Sequence, residues 1–329
     1  MSPDPVELSL VDRWQHNFPL VDKPFEVVGR SAALNEREAI GVFRRLREIG
    51  VISRIGAVVR PNTIGTSTLA ALQVPPERLE EVAAIVSREP LVTHNYERTH
   101  ALNLWFVIAG ADANAIAATN ESIRHQTGLE AIDLPMLKAY HLGLGFPLGT
   151  VRPSMRKATD PCGDYHPDPR DRRILAAIQD GLTLVEQPYR AVAEQLDLNQ
   201  AEIIDRLDHL AAAGVVTRFG CVVRHDKLGF NSNAMAVWDV PDDMVDSVAA
   251  SFTRNPHVTL CYRRPRHLPL WPYNIFCMIH AKARHEAFAV IDEINLLADT
   301  GLNRQAVLFS TRRFKQRGAV FSDARQGLN

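Results

Sequence analysis

The sequence predicts an α+β protein built by tandem duplication, in which each copy is a winged helix-turn-helix followed by a ferredoxin-like βαββαβ domain. Three observations lead to this prediction: a segment that recurs along the chain, three helical patterns at the start of each copy, and alternating strand and helix patterns after them. With 329 residues, the chain is long enough for several domains with hydrophobic cores of their own.

The repeat is clearest where the helical part of each copy ends. Residues 51–60 read VISRIGAVVR, and residues 215–224, which lie 164 positions later, read VVTRFGCVVR. Upstream at the same spacing, Leu34-Asn35 matches Leu198-Asn199.

The matches continue in the same order further along each copy. Residues 93–98 (THNYER) correspond to residues 259–264 (TLCYRR), and a five-residue insertion in the second copy then brings residues 103–105 opposite residues 274–276. Matches in one order across a whole half indicate a duplication.

The domain boundaries follow from these patterns. A segment with four prolines and no apolar period reads as an extended linker between the copies. The predicted domains are a winged helix-turn-helix over 1–60, a ferredoxin-like domain over 61–149, the linker over 150–170, a second winged helix-turn-helix over 171–224 and a second ferredoxin-like domain over 225–329.

Within the first copy, Asn35 and Glu38 predict a capping box at the start of the third helix. The β-branched segment after this helix is expected to bend at Gly56, as a wing does. The predicted elements are helices over 8–17, 24–33 and 35–48, then a strand over 67–74, a helix over 76–88, strands over 91–98 and 103–109, a helix over 112–126 and a strand over 129–141.

The composition excludes several classes of protein. No apolar run is long enough for a transmembrane helix, and the N-terminus lacks the basic start and apolar core of a secretory signal, so the cytoplasm is expected. The four cysteines are widely spaced, which argues against a disulfide framework or a zinc site.

DNA is not expected as a partner, although a helix-turn-helix suggests it. The formal net charge is −1, and the third helix of the second copy carries Glu202, Asp205 and Asp208 against Arg206 alone. Phosphates repel an acidic helix, so an architectural role is favoured.

The chemistry concentrates on the strand pair of each βαββαβ domain. Alternation along residues 93–100 places His94, Tyr96, Arg98 and His100 on one face of a strand. This is either a solvated sheet face or an anion-binding, proton-donating surface with a metal as partner for a histidine.

In the second copy, Tyr262 and Arg264 keep this face, whereas Leu260 replaces His94. Basic side chains near this strand and in the final strands suit carboxylates or a phosphate. The inserted loop adds Arg266, His267 and Trp271 beside Arg263, and the final strands add Lys138, Tyr140 and His141 opposite Arg312, Phe314 and Lys315. Histidines outside this group, His280 among them, are expected to be surface or satisfied residues.

The combination of winged helix and βαββαβ domain resembles the Lrp/AsnC regulators. Two strings, THNYERxHxxNLWF in the first copy and CYRRPRxxxxWPYN in the second, instead resemble the siroheme decarboxylases, which share that fold. The first copy resembles one subunit type of that family and the second its partner, so nearly the whole chain except the linker resembles a fusion of the two.

This resemblance implies conversion of siroheme to 12,18-didecarboxysiroheme by removal of two acetate carboxylates, in heme d1 biosynthesis. It implies no separate cofactor, since the substrate carries the iron, and no membrane partner. The two halves should pair with each other, and a homodimer is possible. The alternative is a DNA-binding regulator of the Lrp/AsnC type, with heme as a candidate effector.

Site residues follow from the resemblance and the strand pattern together. His94, His100 and Tyr96 are the expected catalytic residues, and either histidine could ligate the substrate iron. Because the second copy lacks a counterpart of His94, the first copy is expected to hold the complete site. The expected substrate-binding residues are Arg98, Trp105, Lys138, His141, Tyr262, Arg263, Arg264, Arg266, His267 and Trp271.

Overall fold

The computed structural model describes residues 3–143, 165–298 and 304–318. The described residues form two compact units, and each unit contains parts of both copies. Unit 1 holds residues 3–64 and 165–228, and unit 2 holds residues 65–143, 229–298 and 304–318. Most of the predicted linker, residues 150–164, lies outside the described residues.

The elements of unit 1 are helical except for two strands. The first copy contributes α1 (Pro5–Trp14), α2 (Pro24–Arg30), α3 (Glu36–Glu48) and β1 (Ile52–Val59).

Unit 2 begins with the strands and helices of the first copy. They are β2 (Thr66–Leu72), α4 (Leu79–Arg88), β3 (Val92–Arg98), β4 (Leu104–Gly110), α5 (Ala113–Thr127), β5 (Ile132–Pro135) and β6 (Lys138–Leu142).

The second copy repeats this order across both units. Its elements are α6 (Pro169–Ala177), α7 (Pro188–Leu196), α8 (Gln200–Ala212), β7 (Val216–Val223), β8 (Ser232–Trp238), α9 (Val245–Phe252), β9 (Val258–Arg263), β10 (Ile275–Ala281), α10 (Arg284–Ala298) and β11 (Gln305–Gln316). Helix α6 begins inside the end of the predicted linker, because Asp168 caps it and Pro169 opens it.

In unit 1, the predicted capping box is confirmed, since the Glu38 amide donates to the Asn35 side chain and the Asn35 amide donates to Glu38. The predicted bend at Gly56 is wrong. Strand β1 is continuous and pairs antiparallel with β7, with Gly56 opposite Gly220. Glycine is needed at 220 because a Cβ there would lie 2.4 Å from the carbonyl oxygen of Gln15, at the end of α1.

In unit 2, nine strands have the order β5-β2-β4-β3-β11-β8-β10-β9-β6. Each copy contributes four neighbouring strands in a ferredoxin-like arrangement. The strand segment that follows in each copy then pairs with a strand of the other copy. Residues 305–309 of β11 pair with β8 of the same copy, whereas residues 310–316 pair with β3 of the first copy.

The first copy makes the same crossing through two strands. The sequence predicts one strand over 129–141, but the structure has β5 paired with β2 and β6 paired with β9 of the second copy. The break between them, at Met136 and Leu137, falls where the chain changes partner.

Three hydrophobic cores result from this pairing. Two lie between the helices and the sheet of each copy. The third, here named the shared core, combines side chains of both copies on the sheet face away from the helices. Its members include Leu102, Trp105, Ile132 and Leu134 of the first copy and Tyr262, Trp271, Phe276, Met278 and Leu308 of the second. The side chains on the face that carries the predicted site are therefore largely buried rather than solvated.

None of the described helices is long and apolar enough to cross a membrane. Cys221, Cys261 and Cys277 are free thiols.

Candidate active site

Strand β3 presents His94, Tyr96 and Arg98 to the shared core. Asn95, between them, points the other way and donates to the Ala83 carbonyl of α4, 3.1 Å away. The predicted alternation therefore holds for three of the four residues. His100 differs, because β3 ends at Arg98 and His100 lies in the turn that follows.

The hydrogen bonds around His94 favour a proton on one of its two ring nitrogens. Its Nδ1 lies 3.0 Å from the Thr93 hydroxyl, and that hydroxyl donates to the Val107 carbonyl at 3.3 Å. Since the hydroxyl proton is used in this way, its oxygen accepts a hydrogen bond from Nδ1–H. Burial lowers the pKa of His94 to about 4, so the ring is neutral near pH 7 and Nε2 carries a lone pair.

His100 has the opposite arrangement. The Leu102 backbone amide donates to its Nδ1 at 3.0 Å, so the neutral ring carries its proton on Nε2. Burial lowers the pKa of this ring as well. The two histidines thus differ chemically, since His94 offers a lone pair and His100 offers an N–H.

The ring beside His100 comes from the second copy. Trp271 meets His100 edge-on, with 5.4 Å between ring centroids, and meets Trp105 at 4.9 Å. It closes a rigid hairpin in the inserted loop, because His267 and Trp271 exchange two backbone hydrogen bonds of 2.7 Å. The insertion in the second copy therefore forms part of the surroundings of the first copy's His100, while His267 itself is exposed.

Two buried arginines occupy equivalent positions in the copies. Arg98 is 7% exposed and donates to the Leu308 carbonyl at 3.1 Å, while Arg264 is 9% exposed and donates to the Leu134 carbonyl. Arg98 thus reaches β11 of the second copy, and Arg264 reaches β5 of the first.

Neither arginine is neutralised by a neighbouring acid. In the part of the chain that the structure describes, Arg98 and Arg264 form no ion pair, although the charge of Asp133 acts on Arg264 and opposes the lowering of its pKa by burial. Their guanidinium groups instead lie over the rings of Tyr96, at 5.8 Å, and Tyr262, at 4.7 Å. Burial lowers the pKa of Arg98 to about 10, so it remains a cation near neutral pH. Buried cations of this kind favour an anionic ligand.

The other predicted anchors are already paired with acids. Arg266 forms ion pairs with Asp239 and Asp242, each at 2.9 Å, and Arg263 pairs with Asp242 at 2.8 Å. These contacts neutralise both arginines outside the shared core. The single basic surface expected from the sequence is therefore divided into a buried part and an ion-paired part.

Lys138 belongs to the ion-paired part, whereas His141 is half-buried and burial lowers its pKa. Lys138 pairs with Asp246 at 2.9 Å, and Tyr140 donates to the same carboxylate. His141 lies opposite Cys261, whose side chain packs in the core under the helices. Both predicted residues thus lie on the helical side of the sheet.

Sequence reasoning missed two polar residues of this face, His280 and Ser310. The Nδ1 of His280 lies 3.0 Å from the hydroxyl of Thr259, which is the second copy's counterpart of Thr93. Alternation along β10 with Phe276 and Met278 was a signal that could have placed His280 here.

Comparison with known proteins bears on the whole chain. Residues 63–141 and 227–315 match an AsnC-like ligand binding domain, and residues 7–52 and 171–216 match a siroheme decarboxylase NirDL-like HTH domain. The siroheme decarboxylase NirDL subunit of Paracoccus denitrificans is 41% identical over 324 residues, covering 98% of this chain and 99% of that one. The chain belongs to the siroheme decarboxylases.

Separate subunits are also similar to parts of this siroheme decarboxylase. The NirD and NirL subunits of Stutzerimonas stutzeri are 44% and 41% identical over 149 and 153 residues. These matches cover 45% and 46% of this chain, and 98% and 87% of the subunits. The chain is thus a fused form whose halves resemble separate subunits.

Two crystal structures share the fold over nearly the full length. They are the siroheme decarboxylase NirDL alone and in co-complex with an iron-uroporphyrin III analogue, each with a TM-score of 0.68, 27% identity, and coverage of 96% of this chain and 94% of that chain. The predicted family and the duplicated α+β fold are confirmed.

Proposed function

We propose that the chain converts siroheme to 12,18-didecarboxysiroheme by removing two acetate carboxylates, as a step of heme d1 biosynthesis. The observation that supports this most directly is the pair of differently protonated histidines beside two buried arginines that form no ion pair among the described residues. The co-complex of a similar protein with an iron-uroporphyrin III analogue agrees with a substrate of this class.

Substrate binding is assigned to the buried cations. Arg98 and Arg264 would hold substrate carboxylates, since arginine forms strong charge-assisted hydrogen bonds with them. Trp105, Trp271 and Tyr262 are buried in the shared core, and we assign to them the positioning of His100 and Arg264, which Trp271 and Tyr262 contact.

We assign to His94 the role of ligand to the substrate iron. Its Nδ1–H is held by Thr93, which leaves Nε2 as the metal-ligating atom, and its low pKa keeps it unprotonated at neutral pH. Tyr96 stacks on this ring with 6.3 Å between centroids and lies beneath Arg98, so its role in catalysis includes holding both groups in place.

His100 is assigned as the proton donor. When the carbon–carbon bond to an acetate carboxylate breaks, CO2 leaves and the electron pair stays on the carbon attached to the ring. A proton then completes the methyl group, and a positioned histidine is suited to deliver it. A substrate with many carboxylates favours the protonated form of His100 and so raises its pKa from the lowered value in the free protein.

The direct test is anaerobic incubation of the purified protein with siroheme, followed by mass spectrometry. Loss of the mass of one and then two CO2 molecules is expected. An unchanged mass, with siroheme bound, would exclude the decarboxylase. Association of two chains into a homodimer is a separate proposal, which light scattering tests.

A further inference from the structure

Ser310 lies in the half of β11 that has crossed to the first copy. Its pairing partner on β3 is Arg98, directly opposite in the antiparallel register. Leu308, two residues earlier, packs in the shared core, so alternation places Ser310 on the same sheet face. The serine of one copy and the arginine of the other are therefore cross-strand neighbours.

Two polar atoms at this position are shielded from solvent. The Ser310 hydroxyl oxygen and the Arg98 Nε have no hydrogen-bond partner among the described residues. Such atoms are rare in folded proteins, because each one gives up its bonds to water without replacement. An acceptor that comes from outside the protein removes this cost at both atoms.

The surrounding contacts hold these two groups in place. The Nη1 of Arg98 donates to the Leu308 carbonyl, which fixes one end of the guanidinium. The residues next to Ser310 and Arg98 are also joined by two hydrogen bonds of 3.0 Å. The Thr99 amide donates to the Phe309 carbonyl, and the Phe309 amide donates to the Thr99 hydroxyl.

We propose that Ser310 and Arg98 together form a carboxylate subsite, in which the hydroxyl and the Nε–H donate to one carboxylate of the tetrapyrrole. This rests on the proposed function, because it takes the ligand to be a tetrapyrrole with carboxylate side chains. A carboxylate supplies two oxygens that accept both bonds and also neutralises the buried guanidinium.

The second copy lacks this arrangement. Arg264 donates to Leu134 as Arg98 donates to Leu308, but the residue two positions after Leu134 is Met136, an apolar side chain packed against the shared core. The Nε of Arg264 is also buried without a hydrogen-bond partner among the described residues, but it has an apolar side chain where Arg98 has the hydroxyl of Ser310. The subsite makes the two ends of the shared core unequal for a ligand with carboxylates all round its rim.

The test compares Ser310→Ala and Ser310→Thr with the unchanged protein in spectroscopic titrations with two ligands. Iron uroporphyrin carries an acetate and a propionate on each pyrrole, and iron coproporphyrin carries methyl groups in place of the acetates. Loss of a hydrogen bond to a charged group should weaken binding of iron uroporphyrin by roughly tenfold or more in Ser310→Ala, with Ser310→Thr close to the unchanged protein. Weakening with iron uroporphyrin alone assigns the subsite to an acetate, and equal weakening with both ligands assigns it to a propionate.

Ser232→Ala is the matched control. Its hydroxyl is also buried without a partner among the described residues, but the residue opposite it is Ala281. Affinity for both porphyrins should not change in this variant.

A purely structural role for Ser310 has a different signature. If its hydroxyl stabilised the free protein, Ser310→Ala would melt at a lower temperature without ligand. We expect instead an unchanged or higher melting temperature without ligand and a smaller increase when porphyrin binds. Unchanged affinity for both porphyrins in Ser310→Ala would overturn the subsite. Absence of siroheme turnover in the unchanged protein would contradict the proposed function while leaving this binding test intact.

Discussion

The two copies share a framework and differ in the groups that carry protons. In the first copy, the side chain of Asn103 exchanges two hydrogen bonds of 2.9 Å with the backbone of Val74. In the second, Asn274 exchanges the same bonds with Val240, at 3.0 and 2.8 Å. The duplication has thus kept the contacts that fix the strand pair.

The histidines have not been kept in the same way. His94 of β3 bonds to Thr93, whereas the second copy has Leu260 at that position and brings His280 from the neighbouring strand to the equivalent threonine. The turn that holds His100 is replaced by the inserted hairpin, which instead sends Trp271 to the first copy's site. We therefore propose that the second copy supports a site centred on the first.

Removing either histidine of the first copy should have the largest effect. We expect His94→Ala and His100→Ala to lower turnover by about a hundredfold or more, because each removes a group that acts on the substrate iron or on the proton. His280→Ala is the matched control from the second copy and should retain most of the activity. Rates of CO2 release and circular dichroism of each variant would measure activity and folding. Full activity of both first-copy variants would refute the assigned roles.

The number of bound tetrapyrroles tests the asymmetry itself. We expect each chain to bind one equivalent of an iron porphyrin in a titration monitored by the Soret absorption band. This binding should be lost when His94 and His100 are both replaced. Both decarboxylations would then occur at one site, so a monodecarboxylated intermediate should be detectable during turnover. Two equivalents per chain, or turnover that survives these changes and is lost in His267→Ala, would move the chemistry to the second copy.

The sequence predicted the elements well because each is determined locally. Proline and asparagine mark the helix starts, and β-branched alternation marks the strands. It failed at Gly56, and at the strand over 129–141, because both segments pair with the other copy. Local patterns do not specify a partner that lies more than a hundred residues away along the chain.

For the candidate site, the sequence grouped residues by type and position along one strand. It could not show that Arg266 and Arg263 are neutralised by Asp239 and Asp242, since those acids come from a different segment. It also could not place Trp271 of the second copy beside His100 of the first. Burial and charge pairing, which decide which basic residue can meet a ligand, depend on the tertiary structure.

Replacing arginines should have an intermediate effect on the affinity for tetrapyrroles. This effect should distinguish the buried arginines from the ion-paired ones. Arg98→Gln and Arg264→Gln should weaken iron uroporphyrin binding by roughly ten- to a hundredfold, with the larger loss at Arg98 if Ser310 supports the same carboxylate. Arg266→Gln is the control, because its charge is already balanced by aspartates at a partly exposed position, and we expect less than about a fivefold change. Titrations at two salt concentrations would measure these affinities. A larger loss in Arg266→Gln than in Arg98→Gln would place the carboxylate anchor in the inserted loop.

The smallest expected effect is on the pH dependence of the stability of the ligand-free protein. The variant His94→Leu tests it, because it introduces the residue that the second copy has at this position. The folded-state pKa of His94 is about 4, below the ordinary value of 6.5, so between these values the unfolded chain binds more protons and acid favours unfolding. The contribution of the neutral ring to the free energy of unfolding is therefore complete above about pH 6.5 and is lost as the pH falls towards about 4. His94→Leu removes this part of the pH dependence, whereas His16, whose pKa is also lowered to about 4, titrates equally in both proteins. Urea denaturation across this range should give a shallower decrease in stability for the variant. Equal slopes would mean that His94 titrates in the folded protein as it does in the unfolded chain, and the neutral, iron-ligating form assigned to it would then be wrong.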